Sequence, residues 1–112
     1  NIASINAITH PGMNNYSYSS SKAAVLQLTR HLAADLAPEG INVNGIAPGY
    51  FPSKMTKHLA DFEEDMKMGI PTRTLGTPED AAGTAIYLCS RASNYVCGHT
   101  IVLDGGTVAN AG

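Results

Sequence analysis

The order of strands and helices along the first 47 residues constrains the fold more than any other feature. Asn1–Ile5 has the pattern of the end of a buried strand, and alternating β-branched residues along Ile41–Ala47 predict a second strand. Between them, Tyr18–Leu36 predicts an amphipathic helix with Ser17 as its N-cap. Its apolar stripe consists of Val25, Leu28, Leu32 and Leu36. A strand, a helix and a strand in this order form a βαβ unit, so we expect an α/β fold with a parallel sheet.

Three further elements are predicted in the second half of the chain. They are a helix over about Lys54–Met68, a helix from Pro78 to about Ser90 and a strand over Thr100–Leu103. Thr77 is the predicted N-cap of the second of these helices, because a proline suits the first helical position and acidic residues follow it. From that helix, Ala82, Ile86 and Cys89 are expected to face the core.

Composition narrows the class of protein. A chain of 112 residues forms one domain or part of one. Its net charge is −2 and it has no basic cluster, so we expect no nucleic-acid partner. Its apolar stretches are too short to cross a bilayer and no signal peptide is visible, so we expect no membrane partner. With only 2 Cys, a reducing compartment and a cytoplasmic location are favoured over a disulfide scaffold.

Tyr18 and Lys22 are the first candidates for chemistry. They lie four residues apart, so both project from one face of the predicted helix. A phenol keeps its proton at neutral pH, but an ammonium one turn away and the helix N-terminus both favour the phenolate form. Ser4, at the end of the preceding strand, can donate a hydrogen bond to a carbonyl oxygen that the same phenol protonates. Because open α/β sheets bind ligands at strand ends, the three side chains can converge on one ligand.

The Tyr/Lys pair taken alone is weak evidence. Chance gives this spacing about one time in five in a chain of this composition, and an exposed pair on a solvated helix has the same pattern. Tyr16 lies closer to Ser4 along the chain, but Ser20, not a lysine, follows it four residues later. Tyr18 is therefore the preferred candidate.

A series of motifs in a fixed order makes the pattern more specific. They are Asn1–Ser4, Tyr18–Ala24 and Ile41–Gly49 in the first half, and Gly76–Ala82, Tyr95–Gly98 and Leu103–Gly106 in the second. Together they span nearly the whole chain, and in this order they resemble the signatures of the short-chain dehydrogenases/reductases. The resemblance implies a Rossmann-like, doubly wound parallel sheet, with residues 1–112 as the C-terminal portion of a single domain.

The resemblance also implies an activity, a cofactor and an assembly. The activity is NAD(P)-dependent hydride transfer between nicotinamide and a small-molecule carbonyl or secondary-alcohol substrate. The cofactor is NADP or NAD, with NADP slightly favoured, and the assembly is a homodimer or homotetramer. The family's glycine-rich, phosphate-binding turn belongs ahead of Asn1, and no such cluster occurs here. Gly105 and Gly106 do not replace it because no helix follows them, so we expect these residues alone to bind a dinucleotide poorly and to be inactive.

By the same resemblance, three residues are catalytic. Tyr18 exchanges a proton with the substrate oxygen. Lys22 holds the ribose hydroxyls of the nicotinamide nucleotide and favours the phenolate, while Ser4 orients the substrate carbonyl or alcohol. The loop from Ser4 to Tyr18 is one residue longer than the family's commonest spacing, which a loop containing Pro and Gly accommodates at little cost.

The resemblance places the nicotinamide beside the residues that follow the second strand. Pro48 and Gly49 would shape the wall of this site. The backbone of Phe51 would meet the carboxamide, and the Ser53 hydroxyl would bond it where the family commonly has Thr. The run Pro52–Met55 resembles a 3-oxoacyl-reductase-like branch of the family.

Other features have simpler explanations. The 4 His show no metal-ligand spacing, so we expect no metal site. Asn44 is expected to be a structural hydrogen-bonding residue. By the resemblance Met55, Met66 and Met68, with Phe51 and Phe62, belong to a substrate lid, although Met also fills irregular gaps in any fold. Two alternatives to an enzyme stay open: a catalytically inactive fragment that acts as an oligomerisation or interaction piece, and an α/β binding domain with a coincidental Tyr/Lys pair.

Overall fold

The structure, a computed structural model, describes residues 1–52 and 60–110. Its helices are α1 (Tyr16–Leu36), α2 (Ala60–Met68) and α3 (Pro78–Leu88), and its strands are β1 (Gly45–Pro48) and β2 (Thr100–Leu103). Short 3-10 turns occupy Ile5–Ala7, Ala37–Glu39 and Arg91–Ser93. The predicted helix Lys54–Met68 is helical in its described part, and its first residues lie outside the described segments. No helix in these segments has the length and apolar character needed to cross a membrane.

A parallel pair of strands forms the centre of the fold. β1 pairs with β2 in register from Gly45 opposite Thr100 onward. A parallel bridge between Ile2 and Ile46 places the N-terminal segment on the other edge of β1. The expected α/β fold with a parallel sheet is confirmed, and β2 has the bounds that the sequence predicted.

The predicted strand Ile41–Ala47 begins later than expected, at Gly45. The side-chain amide of Asn44 binds the turn before β2. Its Nδ2 donates to the carbonyl oxygen of Val96 at 2.9 Å, and its Oδ1 accepts from the amide of His99 at 3.1 Å. The backbone also connects the two segments, because the amide of Gly98 donates to the carbonyl oxygen of Val43 at 2.8 Å. Asn44 is structural as expected.

Helix α1 begins two residues earlier than predicted. Asn15, not Ser17, occupies the N-cap position, and its side chain makes no capping hydrogen bond. The amide of Ser19 donates to the carbonyl oxygen of Asn15 at 3.0 Å, which places Ser17 inside the first turn. Ser17 as N-cap is thus wrong, because backbone closure and not a side-chain cap sets the start of this helix.

The buried face of α1 differs from the predicted apolar stripe. Its buried residues are Thr29 and Ala33, whereas Leu28 is 50% exposed. Thr29 Oγ1 donates to the carbonyl oxygen of Val25 at 2.9 Å and accepts from Asn1 Nδ2 at 3.0 Å. Small residues on this face let α1 approach the N-terminal segment and Gly98 closely, so the larger apolar residues lie at its flanks.

Helix α3 begins as predicted, at Pro78 behind the Thr77 N-cap. A capping box closes its first turn. The Thr77 hydroxyl accepts from the Asp80 amide at 3.2 Å, and an Asp80 carboxylate oxygen accepts from the Thr77 amide at 2.9 Å. The helix ends at Leu88, two residues before the predicted end.

The described part of the chain buries no residue on the apolar face of α3. None of the helix's residues is buried, and Ile86 is 68% exposed. The expectation that Ala82, Ile86 and Cys89 face a core is wrong within the described segments, where all three are exposed. Periodicity predicts an apolar face, but it carries no information on whether another segment lies against that face.

The buried residues lie along the strands, on α1 and at the ends of the strands. The buried apolar residues are Ala3, Ile5, Ala33, Ile46, Ala47 and Ile70. The amide of Gly49 donates to the carbonyl oxygen of Leu103 at 2.9 Å, and the amide of Thr72 donates to that of Gly105 at 3.2 Å. We call this the strand-end region, which comprises Ser4–Ile5, Gly49–Phe51, Ile70–Gly76 and Leu103–Gly106. It lies at the edge where parallel α/β sheets bind ligands.

Candidate active site

Ser4 lies at the carboxyl end of the N-terminal segment. It is 7% exposed, and the amide of Ala3 beside it donates to the carbonyl oxygen of Ile46 at 2.8 Å. Its Oγ accepts a hydrogen bond from the amide of Asn6 at 3.1 Å, which caps the 3-10 turn that follows. The hydroxyl therefore has a fixed position, and its own hydrogen makes no hydrogen bond within the described segments. It can donate that hydrogen to a ligand oxygen.

Tyr18 and Lys22 lie on the same face of the first turns of α1. Lys22 Nζ is 5.7 Å from the centroid of the Tyr18 ring, within the range of a cation–π contact. Tyr18 is 47% exposed, and its hydroxyl makes no hydrogen bond to another residue of the described part of the chain. The phenol is thus available to a ligand and has a cation beside it.

A hydrogen bond from Lys22 connects this pair to the strand that carries Ser4. Lys22 Nζ donates to the carbonyl oxygen of Ile2 at 3.3 Å. Ile2 precedes Ser4 by two residues, and α1 packs against the 3-10 turn that follows Ser4. These contacts connect the start of α1 to the segment that carries Ser4, and the joint catalytic role of Ser4, Tyr18 and Lys22 stays a prediction. Sequence reasoning gave Ile2 no role, because a backbone acceptor has no side-chain signature.

Tyr16, the competing tyrosine, lies in a different environment. It is 75% exposed and lines a cavity of about 240 Å³ together with His10, Met13 and Asn15. Tyr18 and Lys22 do not line this cavity. The cation contact belongs to Tyr18, which separates the two tyrosines by their surroundings as the sequence spacing predicted.

The predicted nicotinamide wall follows β1. Pro48 ends the strand, and a Cβ on Gly49 would lie 2.8 Å from the Asp104 Cβ, so only glycine fits where the two strand ends approach each other. Phe51 is half-buried, with its ring against Gly76. Ser53 lies outside the described residues, as do Met55 and the side chain of Phe62, so the predicted carboxamide bond and lid stay predictions.

The donors of this site suit a ligand with hydroxyl and carbonyl groups. Lys22 has ammonium hydrogens beyond the one that Ile2 accepts, and the hydroxyls of Ser4 and Tyr18 have free hydrogens. This set fits ribose hydroxyls and a substrate carbonyl. The residues present therefore fit the nicotinamide half of a dinucleotide.

The Gly105–Gly106 turn does not offer a binding site for the phosphates of a dinucleotide. The Asp104 carboxylate accepts from the amide of Gly106 at 3.0 Å and from the amide of Val108 at 2.7 Å. These amides bind an anion of their own chain, so they are not free for a phosphate. In the segments that the structure describes, no three His, Cys, Asp or Glu side chains come close enough together to hold a metal ion.

Comparison with known proteins places this arrangement in a family. A family model described as Enoyl-(Acyl carrier protein) reductase matches residues 1–108. The rhamnolipids biosynthesis 3-oxoacyl-[acyl-carrier-protein] reductase of Pseudomonas aeruginosa is 45% identical over 109 residues, which cover 95% of this chain and 43% of that protein. This chain belongs to the short-chain dehydrogenase/reductase family.

One further relative and a solved structure support the family's fold and breadth. The 2-dehydro-3-deoxy-D-gluconate 5-dehydrogenase of Bacillus subtilis is 47% identical over 92 residues, which cover 80% of this chain and 36% of that protein. The structure of the Pseudomonas aeruginosa RhlG/NADP active-site complex matches with a TM-score of 0.89 and 45% identity, covering 96% of this chain and 44% of that one. The Rossmann-like fold is therefore confirmed, and the chain spans about two fifths of the length of these short-chain dehydrogenases/reductases.

Proposed function

We propose that this chain carries the proton-transfer half of an NAD(P)-dependent oxidoreductase that interconverts a carbonyl compound and a secondary alcohol. The observation that carries the proposal is Lys22, which lies 5.7 Å from the Tyr18 ring and donates to the carbonyl oxygen of Ile2 beside Ser4. In the proposal, Tyr18 is the acid/base, Lys22 the cation and Ser4 the hydroxyl donor at this strand end. The two named relatives, a reductase and a dehydrogenase, support the same reaction class.

The proposed chemistry assigns each residue one task. Bound nicotinamide supplies the hydride for reduction, or accepts it for oxidation. Tyr18 donates its phenolic proton to the substrate oxygen as the carbonyl becomes an alcohol, and it takes that proton back in the reverse direction. The Lys22 ammonium stabilises the phenolate that remains, and the Ser4 hydroxyl donates a hydrogen bond to the same substrate oxygen.

The proposed cofactor is NADP or NAD, with NADP slightly favoured. The similar Pseudomonas aeruginosa structure is an NADP complex, which supports this choice. In the proposal the Lys22 ammonium holds the ribose hydroxyls, and Pro48 and Gly49 form the wall beside the nicotinamide. The backbone of Phe51 and the Ser53 hydroxyl bond the carboxamide.

The proposed substrate is a small molecule with a carbonyl or secondary-alcohol group. One relative is named for a 3-oxoacyl thioester and the other for a keto-sugar acid, so the relatives share the reacting group and differ in the rest of the substrate. The Pro52–Met55 run favours the 3-oxoacyl branch. The free, exposed Cys89 and Cys97 support the proposal of a cytoplasmic location.

We also propose that the protein is a homodimer or homotetramer. Ala23, Ala24 and Ala34 on α1 are exposed, and Val102 on β2 is 39% exposed. Small exposed residues allow close approach of a second copy along α1, and the exposed side of β2 offers a second surface.

The test is Y18F in the full natural polypeptide, with Y16F as the matched control. We expect Y18F to lower kcat/KM by a factor of about 100 to 10,000, because the proton donor is lost while the ring stays. Y16F is expected to keep the wild-type value. NADPH and NADH oxidation are followed with a 3-oxoacyl thioester and a keto-gluconate as substrates.

Two outcomes would contradict the proposal. Wild-type turnover in Y18F would remove the role of Tyr18. A wild-type polypeptide that neither turns over a carbonyl substrate nor binds a nicotinamide dinucleotide would favour the alternative, an oligomerisation or interaction piece, for which the uncovered face of α3 is the supporting observation.

A further inference from the structure

Gly76 connects the segment Ile70–Gly76 to the proposed nicotinamide wall. It precedes the Thr77 cap of α3, and its amide donates to the carbonyl oxygen of Tyr50 at 3.0 Å. Tyr50 is the residue between Gly49 and Phe51. One backbone hydrogen bond therefore joins a residue outside the site to the wall that the proposed function assigns to the cofactor.

The ring of Phe51 fills the space in which a side chain at Gly76 would lie. A Cβ at this position would be 2.7 Å from Phe51 Cδ2 and closer still to Cε2 and Cζ, distances that real Cβ atoms essentially never show. The φ angle of Gly76 is not in the left-handed region, so the requirement for glycine comes from space and not from backbone conformation.

The segment that carries Gly76 begins at a packed residue. Ile70 is 1% exposed, and a Cβ on Gly105 would lie 2.8 Å from Ile70 Cγ2, which shows how tightly this end is packed. At the other end the capping box joins Thr77 to Asp80 of α3. An added methyl group at Gly76 would occupy the place of the Phe51 ring, so the ring and this segment have to move apart.

We propose that Gly76 is a positioning residue for the nicotinamide ring. The Phe51 ring fills the space that a side chain at Gly76 would need, and the Gly76 amide fixes the Tyr50 carbonyl; in the proposal these two contacts keep the backbone of Phe51 turned toward the carboxamide. This inference rests on the proposed function, which assigns that backbone to the carboxamide. Gly76 itself touches neither cofactor nor substrate.

The test measures dinucleotide binding by G76A in the full natural polypeptide. The probes are NADPH, followed by its fluorescence, and 2′,5′-ADP, which lacks the nicotinamide; NADH and ADP are used if the wild type prefers NADH. We expect G76A to raise the Kd for the reduced dinucleotide about tenfold and to leave the Kd for the nicotinamide-free probe unchanged, because only the ring is misplaced.

Two further variants make the test specific. G83A adds the same methyl group on α3, where a Cβ would meet nothing within 4 Å, and it is expected to bind both probes like the wild type. The second variant, F51A, removes the ring that an added methyl group at Gly76 would meet. Adding G76A to F51A is expected to change the Kd for the reduced dinucleotide less than about threefold, because the ring no longer occupies the space.

Each outcome has one meaning. If the wild type binds the dinucleotide and G76A binds it equally well, the positioning role is wrong while the proposed function stands. If G76A weakens both probes alike and lowers the thermal midpoint, or if F51A does not relieve its effect, Gly76 serves the fold alone. If the wild type binds neither reduced dinucleotide, the proposed function fails first.

Discussion

The strand-end region and helix α3 show two ways in which a segment of this protein is held. In the strand-end region, Ile5 and Ile70 are buried and Gly49 and Thr72 make backbone hydrogen bonds between segments. Helix α3 has no buried residue and begins with a capping box. The first region is held by tertiary packing, whereas the second is held by local hydrogen bonds.

The comparison shows that a segment can have regular secondary structure without being buried. α3 has 11 residues, a length at which an isolated helix is marginal in water. Its cap, its first-turn acidic residues and its Pro at the first position support it locally. The candidate catalytic residue Ser4 lies in the packed region, where a fixed position is what a hydrogen-bond donor requires.

The sharpest test of the packed region is I70A. Because Ile70 is 1% exposed, its truncation leaves a cavity, and we expect the free energy of unfolding to fall by about 2–5 kcal/mol. Urea unfolding measures the change. I70V is the matched control and is expected to cost about 1 kcal/mol. A loss below that of the control would show that this region is less tightly packed than its contacts indicate.

A smaller effect is expected from T77A, which removes the N-cap of α3. The variant leaves the Asp80 amide without its acceptor, so we expect a loss of about 1 kcal/mol in the free energy of unfolding. T77S keeps a hydroxyl at the cap and is expected to restore most of the loss. If T77A is neutral, the helix is held by something other than its cap.

The smallest effect is expected from I86A on the exposed face of α3. Since Ile86 is 68% exposed, its side chain loses little contact on truncation, and the free energy of unfolding should change by less than about 0.5 kcal/mol. The same urea series measures it. A cost as large as that of I70A would mean that another part of the protein, or another copy, covers this face.

Local signals predicted the elements whose ends are fixed by local chemistry. The start of α3 follows from Thr77 and Pro78, and the bounds of β2 agree with the predicted strand. Ser17 failed as a cap because α1 closes its first turn without a side chain, and the predicted apolar stripe with Leu28 is not the buried face because Thr29 and Ala33 are the residues that are buried. Both errors come from tertiary packing, which periodicity does not contain.

The candidate site was predicted unevenly for the same reason. Ser4, Tyr18 and Lys22 are recognisable from side-chain chemistry and spacing, and the structure places Lys22 against the Tyr18 ring and the Ile2 carbonyl oxygen. The Ile2 carbonyl and the space beside Gly76 are properties of the backbone and of its neighbours. The motif Gly76–Ala82 contains this glycine, but the sequence does not show that the Phe51 ring occupies the space beside it.

The hydrogen bond from Lys22 to Ile2 has a mechanical consequence for α1. Successive residues of a helix are related by a rotation of about 100°. A register shift of α1 by one residue would therefore rotate the Tyr18 phenol by that angle and break the hydrogen bond from Lys22 to Ile2. The hydrogen bond therefore fixes the register of α1 against the N-terminal segment, and the direction of the Tyr18 phenol depends on the backbone of Ile2.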